Sequence, residues 1–130
     1  MKVPGQIALT AFPHTDLSGS KLRPVLLLCL ASERYDDWVV CMVSSQLQQA
    51  EPELDEIISD IDPDYRASGL RVPSVFRLSR LAVLQGSLML GRLGELPAQR
   101  LVEMRTKLAR WIEAGGPRER VPSNQTGVKE

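Results

Sequence analysis

The chain has 130 residues, 43 % of them apolar, with sixteen basic and sixteen acidic side chains; that suffices for one globular domain with a core and is too short for two of ordinary size. No apolar run approaches the roughly 20 residues that cross a bilayer. The opening MKVPGQIALTAFP, interrupted by Pro4, Gly5, Gln6 and Thr10, lacks the layout of a signal peptide, so a soluble, cytoplasmic protein without membrane partners is expected.

The zero net charge is unevenly spread. Glu51, Glu53, Asp55, Glu56, Asp60, Asp62 and Asp64 fall together with no Lys or Arg among them, whereas from Arg66 to Arg110 nine basic residues meet only Glu95 and Glu103. One face of a compact domain can thereby attract a polyanion, although surface solvation alone accounts for most such side chains.

In chain order, GQIALTAF alternates Ile7, Leu9 and Ala11 with polar or small neighbours, as a half-buried strand does. PHTDLSGSKL gathers turn formers into a loop of about ten residues, a length that tends to carry function. RPVLLLCLAS and DWVVCMVSS are apolar runs joined by the polar ERYDD, and predict two central strands of an antiparallel pair. Cys29 and Cys41 lie inside them as free packing residues. LDEIISDID, with Leu54, Ile57 and Ile61 among acids, predicts a short exposed edge strand, and PDYRASG a turn or loop. PSVFRLSRLAVL sets Val75, Arg77 and Ser79 against Ser74, Phe76, Leu78 and Arg80, one strand with a polar and an apolar face. GSLMLGRLGEL reads as a further short strand and a turn.

The period then changes. Pro97 stands in the first turn of a helix whose Leu101, Met104, Leu108 and Trp111 fall at helical spacings, with Ile112 widening the stripe, to about Ala114. The domain is predicted over 1–114, and the polar residues 115–130 as a flexible tail. Five or six short strands closed by one helix give a mainly β fold, a small twisted barrel, because an open sheet of this size leaves its edges and one face unprotected.

Chemistry is narrowed by elimination. His14 is the only histidine and both cysteines lie in core-like strands, so a usual zinc site and a Ser-His-Asp triad are improbable. GRLG, residues 91–94, lacks the strand-to-helix context and the lysine of a phosphate loop, and no cofactor is expected. Two features remain, Arg23 where the first apolar run begins and MVSSQ where the second ends. If the two strands pair through ERYDD, Arg23 and Ser44 meet. A guanidinium is a planar fork of donors and a hydroxyl donates or accepts, so together they suit a phosphodiester. Spacing alone favours the plainer reading, a surface arginine beside two strand-terminal serines.

Taken in order from Gly5 to about Ile112, the segments GQIALTAFP, GSKLRPVLLL, VVCMVSSQ, GLRVPSVFRLSRLAVL and LGELPAQRLVEMRTKLARWI resemble the PemK/MazF family of toxin-antitoxin endoribonucleases. The most specific signature is Gly-x-x-x-Arg-Pro-Val over residues 19–25. The resemblance implies an SH3-like β-barrel of five to seven strands with a C-terminal helix, forming a homodimer that cuts single-stranded RNA without a metal. It also implies the chemistry: the ribose 2'-hydroxyl attacks the adjacent phosphate, leaving a 2',3'-cyclic phosphate and a free 5'-hydroxyl. Arg23 would stabilise the phosphorane, Ser44 would supply the hydroxyl where the family usually has threonine, and Arg77 would act as general acid or phosphate contact.

The acid that can follow that arginine by two residues is Ser79 here, so the general base stays open among His14, Asp16 and Asp37, or is missing. Lys21, Ser45, Gln46 and Arg80 are the expected RNA-binding residues. Trp38 and Trp111 are assigned to core or dimer packing, because aromatics are few. The implied partner is a cognate antitoxin whose disordered tail occupies the RNA groove and folds on binding. The segment from Glu51 to Asp64 is either an edge kept soluble by charge or a wall of the RNA channel or antitoxin contact. Two other classes remain open: a catalytically silent module that binds RNA or antitoxin, and a CcdB-like gyrase poison, against which the polar ending GVKE speaks.

Overall fold

A computed structural model of the chain describes residues 1–11 and 22–117; His14, Asp16, Lys21 and most of the C-terminal tail lie outside the described residues. The strands are β1 (Gln6–Ala11), β2 (Leu22–Ser32), β3 (Asp37–Ser44), β4 (Glu56–Ile58), β5 (Ser74–Gln85) and β6 (Met89–Glu95), with helices α1 (Tyr65–Ser68) and α2 (Ala98–Glu113). All pairings are antiparallel, in the order β4-β5-β3-β2-β1-β6. Among the described residues no helix is long and apolar enough to cross a membrane.

The two apolar runs do form the central hairpin, in register Val25↔Met42, Leu26↔Cys41 and Leu27↔Val40. Asp36 closes the turn at φ 55, a left-handed conformation that a short polar side chain tolerates. Its Oδ1 accepts the Trp38 indole N–H at 2.9 Å, which satisfies the one polar atom of a buried aromatic.

Alternation along the strands now divides the core. Ile7, Leu26, Leu28, Cys41, Phe76 and Leu78 face one cluster, which α2 caps with Leu101 and Met104. Val25, Leu27, Trp38, Val40 and Leu84 face a second, overlain by Leu88 and Met89. Both faces of the sheet are therefore covered, as a strongly coiled sheet allows. This corrects the reading of β1 as half-buried: Gln6, Ile7, Ala8 and Thr10 are all buried, with Leu9 and Ala11 intermediate.

Where the β2–β3 register slips between Leu27 and Cys29, the carbonyl of Leu28 accepts Arg105 Nη1 at 3.0 Å. The helix thus satisfies a group that the bulge takes from the ladder. The stripe Leu101, Met104, Leu108 and Trp111 meets the first cluster as expected. Ile112, in contrast, is 63 % exposed and does not widen it. Pro97 caps the helix from outside rather than standing in its first turn, an end position that needs no proline N–H.

The segment PDYRASG is not a plain turn. It forms α1, ended by Gly69 in the left-handed conformation at φ 74. A Cβ on Gly69 would collide with the Leu93 carbonyl, and one on Gly94 with the Ala67 carbonyl. The bare backbones let α1 lie on β6, joining the β4 end of the curled sheet to its opposite edge. The edge strand β4 exists but is not simply exposed: Leu54 and Ile58 are buried, while Ile57 and Ile61 point outward.

Candidate functional site

The arginine position follows from the proline after it. Arg23 pairs with Thr10 and Pro24 with Leu9 on β1, while the ladder from β2 to β3 begins only at Val25↔Met42. Pro24 has no N–H to give to β3, so a strand bonded on both sides cannot extend through it. Beyond Met42, β3 continues instead against β5, with Val43↔Phe76 and Ser44↔Val75. Extended toward the strand end, the register sets Arg23 opposite Ser44 across a gap without a ladder.

That gap is a cavity of about 550 Å³. Arg23, Ser44, Ser45, Gln46, Arg77 and Arg80 all line it, over a floor that includes Pro24, Met42 and Leu70. Six of the seven residues named from the sequence thus converge, and the seventh, Lys21, is outside the described residues. Asp37 is not part of the group. It begins β3, whose other end is Ser44, roughly 24 Å away at strand rise, so it cannot serve as a base for this cavity.

Ser44 Oγ accepts the N–H of Gln46 at 3.0 Å. Because that bond uses an acceptor lone pair, the hydroxyl proton stays available to donate. Arg77 stands at the start of a wide irregularity in β5: Met42 pairs with Arg77 but the preceding Cys41 pairs with Leu81, so Leu78, Ser79 and Arg80 are extra residues on the β5 side. The Arg77 side chain is 19 % exposed, with Nε 3.4 Å from Asp55 Oδ2 and Nη1 3.5 Å from Gln49 Oε1. The expectation of a polar β5 face holds for Arg77 and Ser79 and fails for Val75, which is fully buried.

Three contributors were not singled out from the sequence. Arg71 and Gln49 line the cavity, and Asp55 reaches the guanidinium from the acidic segment. Arg71 lies in GLRVP, just ahead of β5, where its proximity to Arg77 was available as a signal. Gln49 ends a 3-10 turn, Leu47–Gln49, that directly follows the Ser-Ser-Gln run. With Arg71 the cavity has four arginines, of which Arg23, Arg71 and Arg80 make no ion pair among the described residues. A concave wall so charged focuses an attractive field on a phosphate backbone.

The remaining titratable groups do not form a rival centre. Burial, reinforced by the negative charge of Asp55, pushes the Cys41 thiol well above its ordinary range, so it is protonated and inert. Among the described residues no group of three His, Cys, Asp or Glu side chains stands where it could hold a metal ion.

Comparison with known proteins gives these observations a setting. No curated protein matches the chain. Solved structures do: an endoribonuclease in complex with its cognate antitoxin from a mycobacterial species, 15 % identical, superposes with a TM-score of 0.62 over 90 % of this chain and 100 % of that one. MazF from Deinococcus radiodurans, 20 % identical, gives 0.60 over 87 % and 96 %, and the Mycobacterium tuberculosis toxin MazF-mt6, 15 % identical, gives 0.59 over 83 % and 96 %. At these identities the likeness is one of fold. The model of the PemK-like, MazF-like toxins of type II toxin-antitoxin systems matches residues 4–112, a span containing every element that builds the cavity, and the chain belongs to that family.

Proposed function

We propose that this chain is the toxin of a type II toxin-antitoxin pair and acts as a metal-independent endoribonuclease on single-stranded RNA. The observation that carries the reading is the convergence of Arg23, Ser44 and Arg77 on one cavity within the span matched by the toxin family.

The reaction needs few groups. The 2'-hydroxyl oxygen bonds to the adjacent phosphorus as its proton passes to solvent water, and the bond to the 5'-oxygen breaks as that oxygen takes a proton from water. Charge accumulates on the non-bridging oxygens in between. Arg23, exposed at the rim, donates its fork to those oxygens, and the Ser44 hydroxyl, its oxygen held by the Gln46 N–H, adds a donor. Arg77 supplies a further cation to the phosphate or to the departing oxygen. Ser45, Gln46, Arg71 and Arg80 hold the flanking backbone, where contacts position RNA. Binding therefore weakens as salt rises.

The partners belong to the same reading. A structural neighbour is an endoribonuclease bound to its cognate antitoxin, and an antitoxin segment with acidic residues would compete for the arginine-lined cavity. A homodimer is included: beyond its irregularity β5 carries Leu81 and Val83, 43 % and 61 % exposed, apolar surface of the kind a second subunit covers.

Incubating the purified chain with a long RNA in EDTA and mapping the new ends tests the reading. The expected products carry a 2',3'-cyclic phosphate and a 5'-hydroxyl, and Arg23→Ala removes them while the circular dichroism spectrum is unchanged. RNA retained without any product selects the silent binding module instead.

A further inference from the structure

One buried charge has no part in the reaction above. The side chain of Asp55 is fully enclosed, 0 % exposed, although its backbone is partly at the surface; in the same segment the side chains of Glu56, Asp64 and Asp62 are 21 %, 24 % and 33 % exposed. Its Oδ1 accepts the Ser79 N–H at 2.9 Å. Its Oδ2 accepts from the Glu51 N–H at 2.8 Å, the Ser79 hydroxyl at 2.9 Å and Arg77 Nε at 3.4 Å. A carboxylate without water persists only when its oxygens are bonded and its charge is met, and these four donors meet both needs. Three of the four come from β5, the fourth from Glu51 of the segment itself; β4 pairs only with Ser74, Val75 and Phe76, so the Ser79 N–H is left for a side chain to take.

A group that touches no solvent cannot take a proton from an RNA hydroxyl. What it can do is hold Arg77. A free arginine samples many rotamers, and its contribution to a transition state falls when the fork is misaimed. Here Nε is bonded to Asp55 and Nη1 to Gln49, so the guanidinium is held at two of its nitrogens beside the cavity that Arg77 and Gln49 both line. We propose that Asp55 is a positioning residue for Arg77, delivered by the acidic segment so that a surface arginine becomes a preorganised phosphate donor. The catalytic consequence rests on the endoribonuclease reading; the geometry does not.

The alternative is that Asp55 merely fastens its segment to β5, and a double-mutant cycle on the full chain separates the two. Asp55→Asn is expected to lower kcat for RNA cleavage by about 10- to 100-fold with KM nearly unchanged. In an Arg77→Lys background the same substitution is expected to change kcat by less than about threefold, since the group being aimed is gone. Equal fold losses in both backgrounds overturn the proposal. A second measurement needs no variant: by NMR of the wild-type chain, the Arg77 Nε–H should exchange with solvent at least about 10-fold more slowly than that of Arg80, and equal rates overturn the proposal too. Should Asp55→Asn not fold, the exchange rates decide. Should the wild-type chain cut no RNA, the endoribonuclease reading fails while the exchange rates still report whether Arg77 is held.

Discussion

Two groups of basic residues on this molecule meet opposite fates. On α2, Arg100 lies 3.4 Å from Asp64, 3.6 Å from Glu56 and 3.9 Å from Asp62, and Lys107 reaches Glu56 at 2.8 Å. In the cavity, Arg77 pairs with Asp55, while Arg23, Arg71 and Arg80 have no carboxylate partner among the described residues. The same acidic segment serves both places, pairing with Arg100 and Lys107 of the helix and, among the described residues, with only one of the four cavity arginines. Cations with internal partners hold a fold together, whereas cations without them stay available to a ligand. The segment is therefore more than a solvated edge: Glu56, Asp62 and Asp64 tie it to α2 and Asp55 ties it to β5, while Glu53 and Asp60 stay exposed.

The contrast is broken most directly by exchanging the consequences of mutation. Removing a cavity arginine should cost function without stability: Arg23→Ala is expected to lower kcat by about 100- to 1000-fold, the loss of one preorganised donor to a charged transition state, with unfolding free energy changed by less than about 0.5 kcal/mol. RNA cleavage rates and urea denaturation on the same preparation measure both. A loss of stability as large as the loss of rate would mean that Arg23 is a structural residue and that the distinction fails at its centre.

Removing a helix arginine should do the reverse. Arg100→Ala strands Glu56, Asp62 and Asp64 beside one another, with the arginine side chain only 16 % exposed in the parent. The expected cost is about 1–3 kcal/mol, between that of an exposed pair and that of a broken buried one, visible as a lowered urea midpoint at an unchanged kcat. Smaller effects should come from the cavity rim. Arg71→Ala and Arg80→Ala are each expected to weaken RNA binding about threefold at moderate salt and to reduce the slope of log affinity against log salt by about 0.7, one phosphate contact on a single strand. An unchanged slope for either would remove that residue from the RNA path.

How much of this could be read from residues alone depended on the range of the interaction. The central hairpin was legible because two apolar runs flank a polar turn and leave one sensible register, which brings Arg23 toward Ser44. The stripe on α2 was legible because four apolar residues recur at helical spacing. β1 was misread since alternation signals a sheet with one wet face, and here a second cluster under Leu88 and Met89 covers the other. α1 is only four residues long, shorter than any window in which a helical period can be seen. Asp55 was hidden among six other acids, and nothing local distinguishes it. Its difference is made by Ser79 and Arg77 across the sheet, and Ser79 had seemed only to lack an acid.

The smallest effect is expected where the segment's charge reaches into the core. Cys41 is buried between the sheet and α2, and its thiol is pushed up first by desolvation and then by the negative charge of Asp55, with Glu56 adding a lesser push against a lowering backbone bond from Leu26. In the unfolded chain the same thiol titrates near its ordinary value of 9.0. Well below that value both states carry the proton and stability does not depend on this group. Above it the unfolded chain releases a proton that the folded chain keeps, so the unfolded state is favoured as pH rises. Stability should fall by about 0.4 kcal/mol between pH 7.5 and 9, and then more steeply, approaching about 1.4 kcal/mol per pH unit above about pH 10. Cys41→Ala should lose this alkaline component, as measured by urea midpoints across the range. Since burial is the leading cause, Asp55→Asn should retain most of it. A wild-type curve that matches Cys41→Ala at every pH would show that the thiol ionises inside the fold, and that the charge brought in by Asp55 is not confined to a dry interior.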